Sequence, residues 1–239
     1  VTLAELLTAW RAEGSTDLSG IAGLAYRAAD GRIVRTLPRA NLPDLDAQPF
    51  PDREAIDLDR YVTTWREHHG RGSVSLITAR GCPYTCTWCS HAVYGYTHRR
   101  RSPENVADEV EGIIARYRPE MLWYADDVFT IHKTWLLRYA DELERRGIRI
   151  PFETISREDR LDEEIVAALA RMGAFRIWVG AESGSQRVLP ALTPAHALHA
   201  KSRGLPFHAS LLSPLRKRGP WLVALAVLGA ALVIAAHRD

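Results

Sequence analysis

The chain has 239 residues, 46% of them apolar and 25% charged, with a formal net charge of +2, a balance that excludes a disordered or low-complexity polymer. Residues 1–188 carry 25 Lys and Arg against 28 Asp and Glu, while residues 189–239 carry six basic residues and one acid. The basic excess is confined to the C-terminal segment, so nucleic acid is not an expected partner. Leu3, Leu6, Leu7 and Trp10 recur at helical spacing behind Thr2 and predict a helix over 2–13. Glu5 and Arg11 make it amphipathic rather than a signal peptide. Alternating runs on either side of Asp30 and Gly31 predict a hairpin over 23–36. Pro38, Pro43, Pro49 and Pro51 then predict an extended connector over 38–53. These pieces are too small for a core of their own, and residues 1–68 read as a remnant or linker region.

From residue 73 strands and helices alternate. Residues 73–78 read as an apolar strand that runs into a cysteine-bearing loop. Ser102 caps a helix with Pro103 at its first position, and Val106, Val110, Ile113, Ile114 and Tyr117 form its inward stripe. A second strand over 121–125 ends in Asp126 and Asp127. A helix over 132–146 follows, with Trp135, Leu136, Tyr139 and Leu143 inward. A third strand over 150–155, a helix over 162–172 and a fourth strand over 175–179 complete the series. Strands joined by crossover helices imply a parallel α/β sheet, with its chemistry at the carboxyl ends of the strands. The core is expected over 69–189.

All three cysteines, Cys82, Cys86 and Cys89, lie on one loop with C-x3-C-x2-C spacing, and the other positions have none. So tight a grouping argues against a disulfide framework and for a metal centre in a reducing cytoplasm. Two other readings stay open. A structural zinc site wants four closed ligands, for which His91 is a candidate fourth. Buried inert thiols are the second, although Gly81 and Pro83 suit a loop better than a core.

This loop after an apolar strand resembles the cluster loop of radical S-adenosylmethionine (radical SAM) enzymes. The resemblance covers about 73–188 and implies a partial (β/α) TIM-type barrel of the radical SAM kind, with about four βα units. It implies that the three cysteines hold three irons of a 4Fe–4S cluster and that SAM binds the fourth. One-electron reduction of SAM would then give a 5′-deoxyadenosyl radical for hydrogen abstraction or group transfer on a small-molecule substrate. A flavodoxin or ferredoxin is the implied electron donor. By position, Trp88 would meet the adenine, Asp126 and Asp127 the SAM amino group, and Glu182 and Ser183 the ribose, with Ser185 beside them. Arg157 would fork onto the SAM carboxylate. Each has a structural alternative: Trp88 a loop aromatic, Asp127 or Thr130 a helix cap, Arg157 a partner of Glu158 or Asp162. The run from His98 to Arg101 suits either an anion or a solvated loop.

Residues 44–52, the segment around Tyr94 and the stretch from Tyr124 to Phe129 are similar to the cobalamin-binding subgroup of this family. No Asp-x-His-x-x-Gly motif occurs among the nine histidines, so cobalamin is not expected in this chain. The chain resembles the middle of a longer enzyme, truncated at both ends. A catalytically inactive Fe–S or zinc module is the alternative function.

Residues 190–239 form a Pro-rich, basic tail. Residues 190–220 hold five of the thirteen prolines and no acid, and no fifth strand is expected there. Residues 221–236 are free of charge and, at ~1.5 Å per residue, span about 24 Å as a helix. They read as a transmembrane helix with Arg216, Lys217 and Arg218 on the cytoplasmic side, anchoring a cytoplasmic core, or, the favoured reading, as a tail foreign to the fold that can still insert into a bilayer. A sheet ending at its fourth strand would leave an unpaired, aggregation-prone edge.

Overall fold

The computed structural model describes residues 1–13, 17–87, 89, 94–180, 221–224 and 231–236. It divides into two units, Val1–Pro43 and Asp44–Asp239. In the first, helix α1 (Thr2–Glu13) precedes an antiparallel hairpin of β1 (Ala25–Arg27) and β2 (Ile33–Arg35). The Gly31 amide donates to the Ala28 carbonyl at 2.9 Å, closing the turn that the Asp-Gly pair predicts.

The second unit begins with a connector and a helix that the residue pattern did not announce, α2 (Leu58–His69). Asp57 caps it by accepting from the Arg60 amide, and Gly70 ends it in the left-handed conformation. Its apolar stripe is thin, with Val62 its one buried residue, which is why periodicity alone misses it. Residues 44–72 fall in the same unit as the sheet.

The sheet follows. Strand β3 (Ser73–Leu76) leads to the short strands β4 (Ala79–Arg80) and β5 (Arg99–Arg100), then α3 (Pro103–Tyr117) and β6 (Met121–Tyr124). Next come α4 (Lys133–Arg145), β7 (Phe152–Ser156), α5 (Glu163–Met172) and β8 (Ala174–Gly180). Ser102 and Asp162 cap α3 and α5 by accepting amides of Asn105 and Ile165. Strands β3, β6, β7 and β8 are parallel and adjacent in chain order. Each new strand is added on the same side of the last, and α3, α4 and α5 pack in sequence beside one another. That is barrel winding rather than double winding, which would reverse the strand order partway.

Side chains alternate across these strands as the pleat requires. Val74, Leu76, Leu122, Tyr124, Phe152, Ile177 and Val179 face the helices and join their stripes in one core. Within it the Tyr124 and Tyr139 hydroxyls satisfy each other at 2.7 Å. The opposite face is polar and aromatic: Ser75, Trp123, Glu153 and Arg176 stand in one row across four strands.

The tail corrects an expectation. Residues Trp221–Ala224 (β9) and Ala231–Ala236 (β10) are strands, and the six-stranded order is β3-β6-β7-β8-β10-β9. Strand β10 pairs antiparallel with β8, Val233 opposite Trp178, so the fourth strand is not the edge of the sheet. Among the described residues no helix is long and apolar enough to cross a membrane, and the proposed anchor is not supported. A run rich in Val, Leu and Ile suits a buried strand as well as a helix, and periodicity cannot separate the two. Here the open edge of β8 supplies the donors and acceptors that favour the strand.

Candidate cofactor site

The cysteine loop springs from a clamp. Strands β4 and β5 pair antiparallel, Ala79 opposite Arg100 and Arg80 opposite Arg99, so residues 81–98 leave and return through one two-residue ladder. Gly81 sits at the exit with φ +85, and a Cβ there would lie 2.2 Å from the Thr97 carbonyl oxygen. Only glycine permits both that dihedral and that approach.

Beneath the clamp lies Asp126, at the end of β6. Its carboxylate accepts from the Thr78 amide at 2.7 Å, the Ala79 amide at 3.1 Å and the Thr78 hydroxyl. Arg100 Nη2 adds a fourth donor at 2.6 Å, both side chains being almost fully buried. Burial pushes the Arg100 guanidinium below its ordinary range, and Asp126 opposes that shift. Arg100 also donates to the Phe129 carbonyl at 2.7 Å and lies 4.2 Å from the Trp135 ring centroid. The carboxylate expected to meet a SAM amino group thus already accepts four hydrogen bonds from its own chain. This carboxylate is filled by its own protein and serves the stem of the loop.

The run from His98 to Arg101 is likewise no solvated loop. Arg101 pairs with Glu109, which also holds Arg53 at 2.6 Å. His98 lies 4.8 Å from His132, ring to ring, and both its nitrogens are buried without a partner among the described residues. Burial lowers its pKa to about 4, with Arg100 and His132 adding to the effect.

Above the clamp the loop opens. Cys82 and Cys86 are half-buried and Cys89 is exposed. The Cys89 amide donates to the Cys86 carbonyl at 3.3 Å, turning the chain between them. Burial pushes the Cys82 thiol up; a backbone amide opposes this, while Asp127 and then the other two cysteines add to it. The three sulfurs and Asp127 therefore share one electrostatic neighbourhood. Among the described residues no three His, Cys, Asp or Glu side chains converge on a point that one metal ion could fill.

Asp127 is exposed and does not cap α4, whose N-cap residue is His132. Arg157, past β7, reaches the loop from the side, with Nη1 3.9 Å from Cys86 Sγ. Its bidentate acidic partner is Asp159, at 2.9 and 3.0 Å, with Glu158 adding a weaker electrostatic attraction. Trp88, Glu182 and Ser183, with Ser185 and His91, lie outside the described residues.

The sequence profile of the radical SAM superfamily matches residues 76–201, more than half of the chain. The chain belongs to that superfamily. It is 27% identical over 189 residues to an uncharacterized methyltransferase of Pyrococcus horikoshii, covering 77% of this chain and 40% of that protein. It is 26% identical to an anaerobic magnesium-protoporphyrin IX monomethyl ester cyclase of Rubrivivax gelatinosus, covering 79% and 34%. Among solved structures it resembles the cobalamin-dependent SAM radical enzyme OxsB, with a TM-score of 0.65 at 20% identity over 85% of this chain and 31% of that one. The radical SAM methyltransferase TsrM of Kitasatospora setae gives a TM-score of 0.64 at 22% identity, covering 85% and 42%. The chain thus spans 34–40% of the length of these two curated relatives. The fold is the partial (β/α) barrel of this superfamily.

Two features of this radical SAM core were not legible in advance. A cavity of about 1280 Å³ lies on the polar face of the sheet, running from Arg71 past Trp123 and Trp178 to Gly81 and Asp127. Across it, Glu153 accepts from Arg176 at 3.1 Å and from the Trp178 indole at 2.9 Å. The strand register makes this network by setting Glu153 opposite Arg176, and no local motif marks it.

Proposed function

We propose that this chain is the cofactor-carrying part of a radical SAM enzyme. In this reading Cys82, Cys86 and Cys89 bind three irons of a 4Fe–4S cluster and SAM completes the fourth. The observation that carries it is the single clamped loop bearing three thiols at the carboxyl end of the first parallel strand, whose stem at Ala79, Arg80 and Gly81 lines the cavity. The donor set fits the group. Soft thiolates suit iron–sulfur centres, and a cube binds each ligand at a different corner, so its ligands need not converge on one point. Burial and crowding with Asp127, Cys86 and Cys89 push the Cys82 thiol's pKa up, and a cationic iron centre would oppose that shift.

Bound there, the cluster would supply one electron to SAM and so break one of its carbon–sulfur bonds. The remaining work falls to the chain's own residues. The Asp126 and Arg100 pair holds the loop's stem rigid. Asp127, exposed on the cavity's rim, offers the carboxylate for the SAM amino group. Trp88, Glu182 and Ser183 keep the adenine and ribose roles that the family resemblance gives them. Trp123, Phe175 and Trp178 line the cavity and exclude water from a reactive species.

Methyl transfer and ring closure are the reactions named for the relatives, and hydrogen abstraction or group transfer on a small molecule is the class proposed here. The electron comes from a flavodoxin or ferredoxin. The 239 residues lack a cobalt-ligand motif and are not expected to retain cobalamin by themselves. Anaerobic reconstitution with iron and sulfide tests the reading: about four irons per chain and a SAM-dependent change in the cluster's EPR signal are expected. A colourless protein with stoichiometric zinc would overturn it, and a cluster that never cleaves SAM would point to the inactive module.

A further inference from the structure

The sequence pattern offers Arg157 as a SAM ligand, yet its guanidinium is already engaged on three sides. Nε and Nη2 fork onto Asp159 at 2.9 and 3.0 Å. Its face stacks on Tyr84, with the guanidinium carbon 3.9 Å from the ring centroid. Tyr84 is pinned in turn by its hydroxyl, which accepts from Arg160 Nε at 2.5 Å. The donor left over, Nη1, points at Cys86 Sγ from 3.9 Å. The Arg157 and Asp159 side chains are each only 7% exposed, so water does not compete strongly for these donors. To reach a SAM carboxylate, Arg157 would have to leave a buried bidentate partner, which is costly.

We propose that Arg157 is a positioning residue that acts through Cys86: it fixes the crown of the cysteine loop and sets the reduction potential of the cluster bound there. The inference rests on the cluster reading above. An N–H directed at a cluster sulfur stabilises the reduced state, which carries one more negative charge, and so raises the potential. Asp159 tempers the field of the cation and holds the fork, while Tyr84 keeps the plane in register. Lysine could do none of this, lacking both the fork and the flat face.

The test is an anaerobic redox titration of the reconstituted chain, read by EPR, with iron and sulfide counted on every sample. Arg157→Gln is expected to load normally and to shift the potential negative by at least tenfold in the reduction equilibrium constant, about 59 mV for a one-electron couple. Arg160→Gln removes a nearby cation and the hydrogen bond to the Tyr84 hydroxyl but keeps the Tyr84 ring, the Asp159 fork and Nη1, and is expected to change the equilibrium constant by less than about twofold. Should Arg157→Gln fail to load, Asp159→Asn decides the matter: it keeps the N–H, removes the opposing anion, and is expected to shift the potential positive. Full loading of Arg157→Gln at the wild-type potential overturns the proposal. So do an equal shift in Arg160→Gln, which would mark general electrostatics, and no shift in Asp159→Asn. A wild-type chain that binds no iron overturns the cluster reading, and this proposal with it.

Discussion

At the stem of the cysteine loop, Asp126 takes four hydrogen bonds in a buried pocket and Arg100 is held against it. At the crown, a few residues on, Cys89 and Asp127 stand exposed and Cys82 is crowded by like charge. The two neighbouring aspartates show the contrast most sharply. They share one strand end, yet one is buried and filled by its own protein and the other is exposed. A rigid, satisfied base beneath an open, electrostatically frustrated tip is the arrangement expected where a scaffold must hold a cofactor in fixed geometry.

The largest effect should come from the crown. Replacing Cys82, Cys86 or Cys89 with Ala is expected to abolish cluster loading, because the chain has no fourth cysteine to substitute. Folding should be spared, since none of the three belongs to the core. Iron content beside a circular-dichroism melt checks both halves of this, and a variant that keeps full iron would break the comparison.

The stem should behave in the opposite way. Asp126→Ala strands the buried Arg100 and two amides, and losses of this kind run to about 3–5 kcal/mol. That is a large part of the ~5–15 kcal/mol that holds a domain together. Asp127→Asn, one residue on, is expected to stay within about 0.5 kcal/mol of wild type while weakening SAM binding. Urea titrations of the two variants, side by side, measure the contrast; similar losses in both would erase the distinction between stem and crown.

Gly81 joins the two regions, and its substitution should injure both mildly. A Cβ at φ +85, facing the Thr97 carbonyl oxygen at 2.2 Å, forces the ladder to shift. Strain of this sort costs about 1–3 kcal/mol. Gly81→Ala is therefore expected to unfold at lower urea than wild type and to load less iron. A variant with wild-type stability and loading would show that the clamp is looser than the geometry implies.

Much of this was legible in the residues. The strands, the helix capped by Ser102 and the cysteine loop follow from alternation, capping and spacing, which are local signals. What was misread depends on contacts distant along the chain. Asp126 looked like a ligand because strand ends in this fold carry ligands, but Thr78 and Arg100, 48 and 26 residues away, claim it first. The arginines after His98 looked solvated because a charge run carries no sign of the carboxylates that bury it. Residues 221–236 looked like a membrane helix because an apolar run does not disclose the open strand edge that it will pair with. Arg157 reads from the sequence as a ligand for a carboxylate, and the carboxylate it meets in the fold is that of Asp159, a pairing that no spacing rule announces.

The smallest expected effect is a pH dependence at the stem. His98 is half-buried, and desolvation, helped by Arg100 and His132, lowers its pKa to about 4 in the folded chain, against about 6.5 when unfolded. Above pH 6.5 both states are neutral and His98 contributes no slope. As the pH falls from 6.5 towards 4 the unfolded chain takes up a proton that the folded chain refuses, so stability drops across that window and levels off below it. For a partly screened site the loss should be about 1 kcal/mol. Among the described residues the groups facing the imidazole are cationic or neutral, namely Arg100 and His132, and none is a carboxylate that would reverse the sign. His98→Gln removes the proton site and is expected to flatten the difference in urea midpoint between pH 7 and pH 5. The crown supplies the control: Asp127→Asn should keep the wild-type slope over the same range. If His98→Gln retains that slope, the acid sensitivity belongs to the carboxylates of the ion pairs and not to the histidine at the stem.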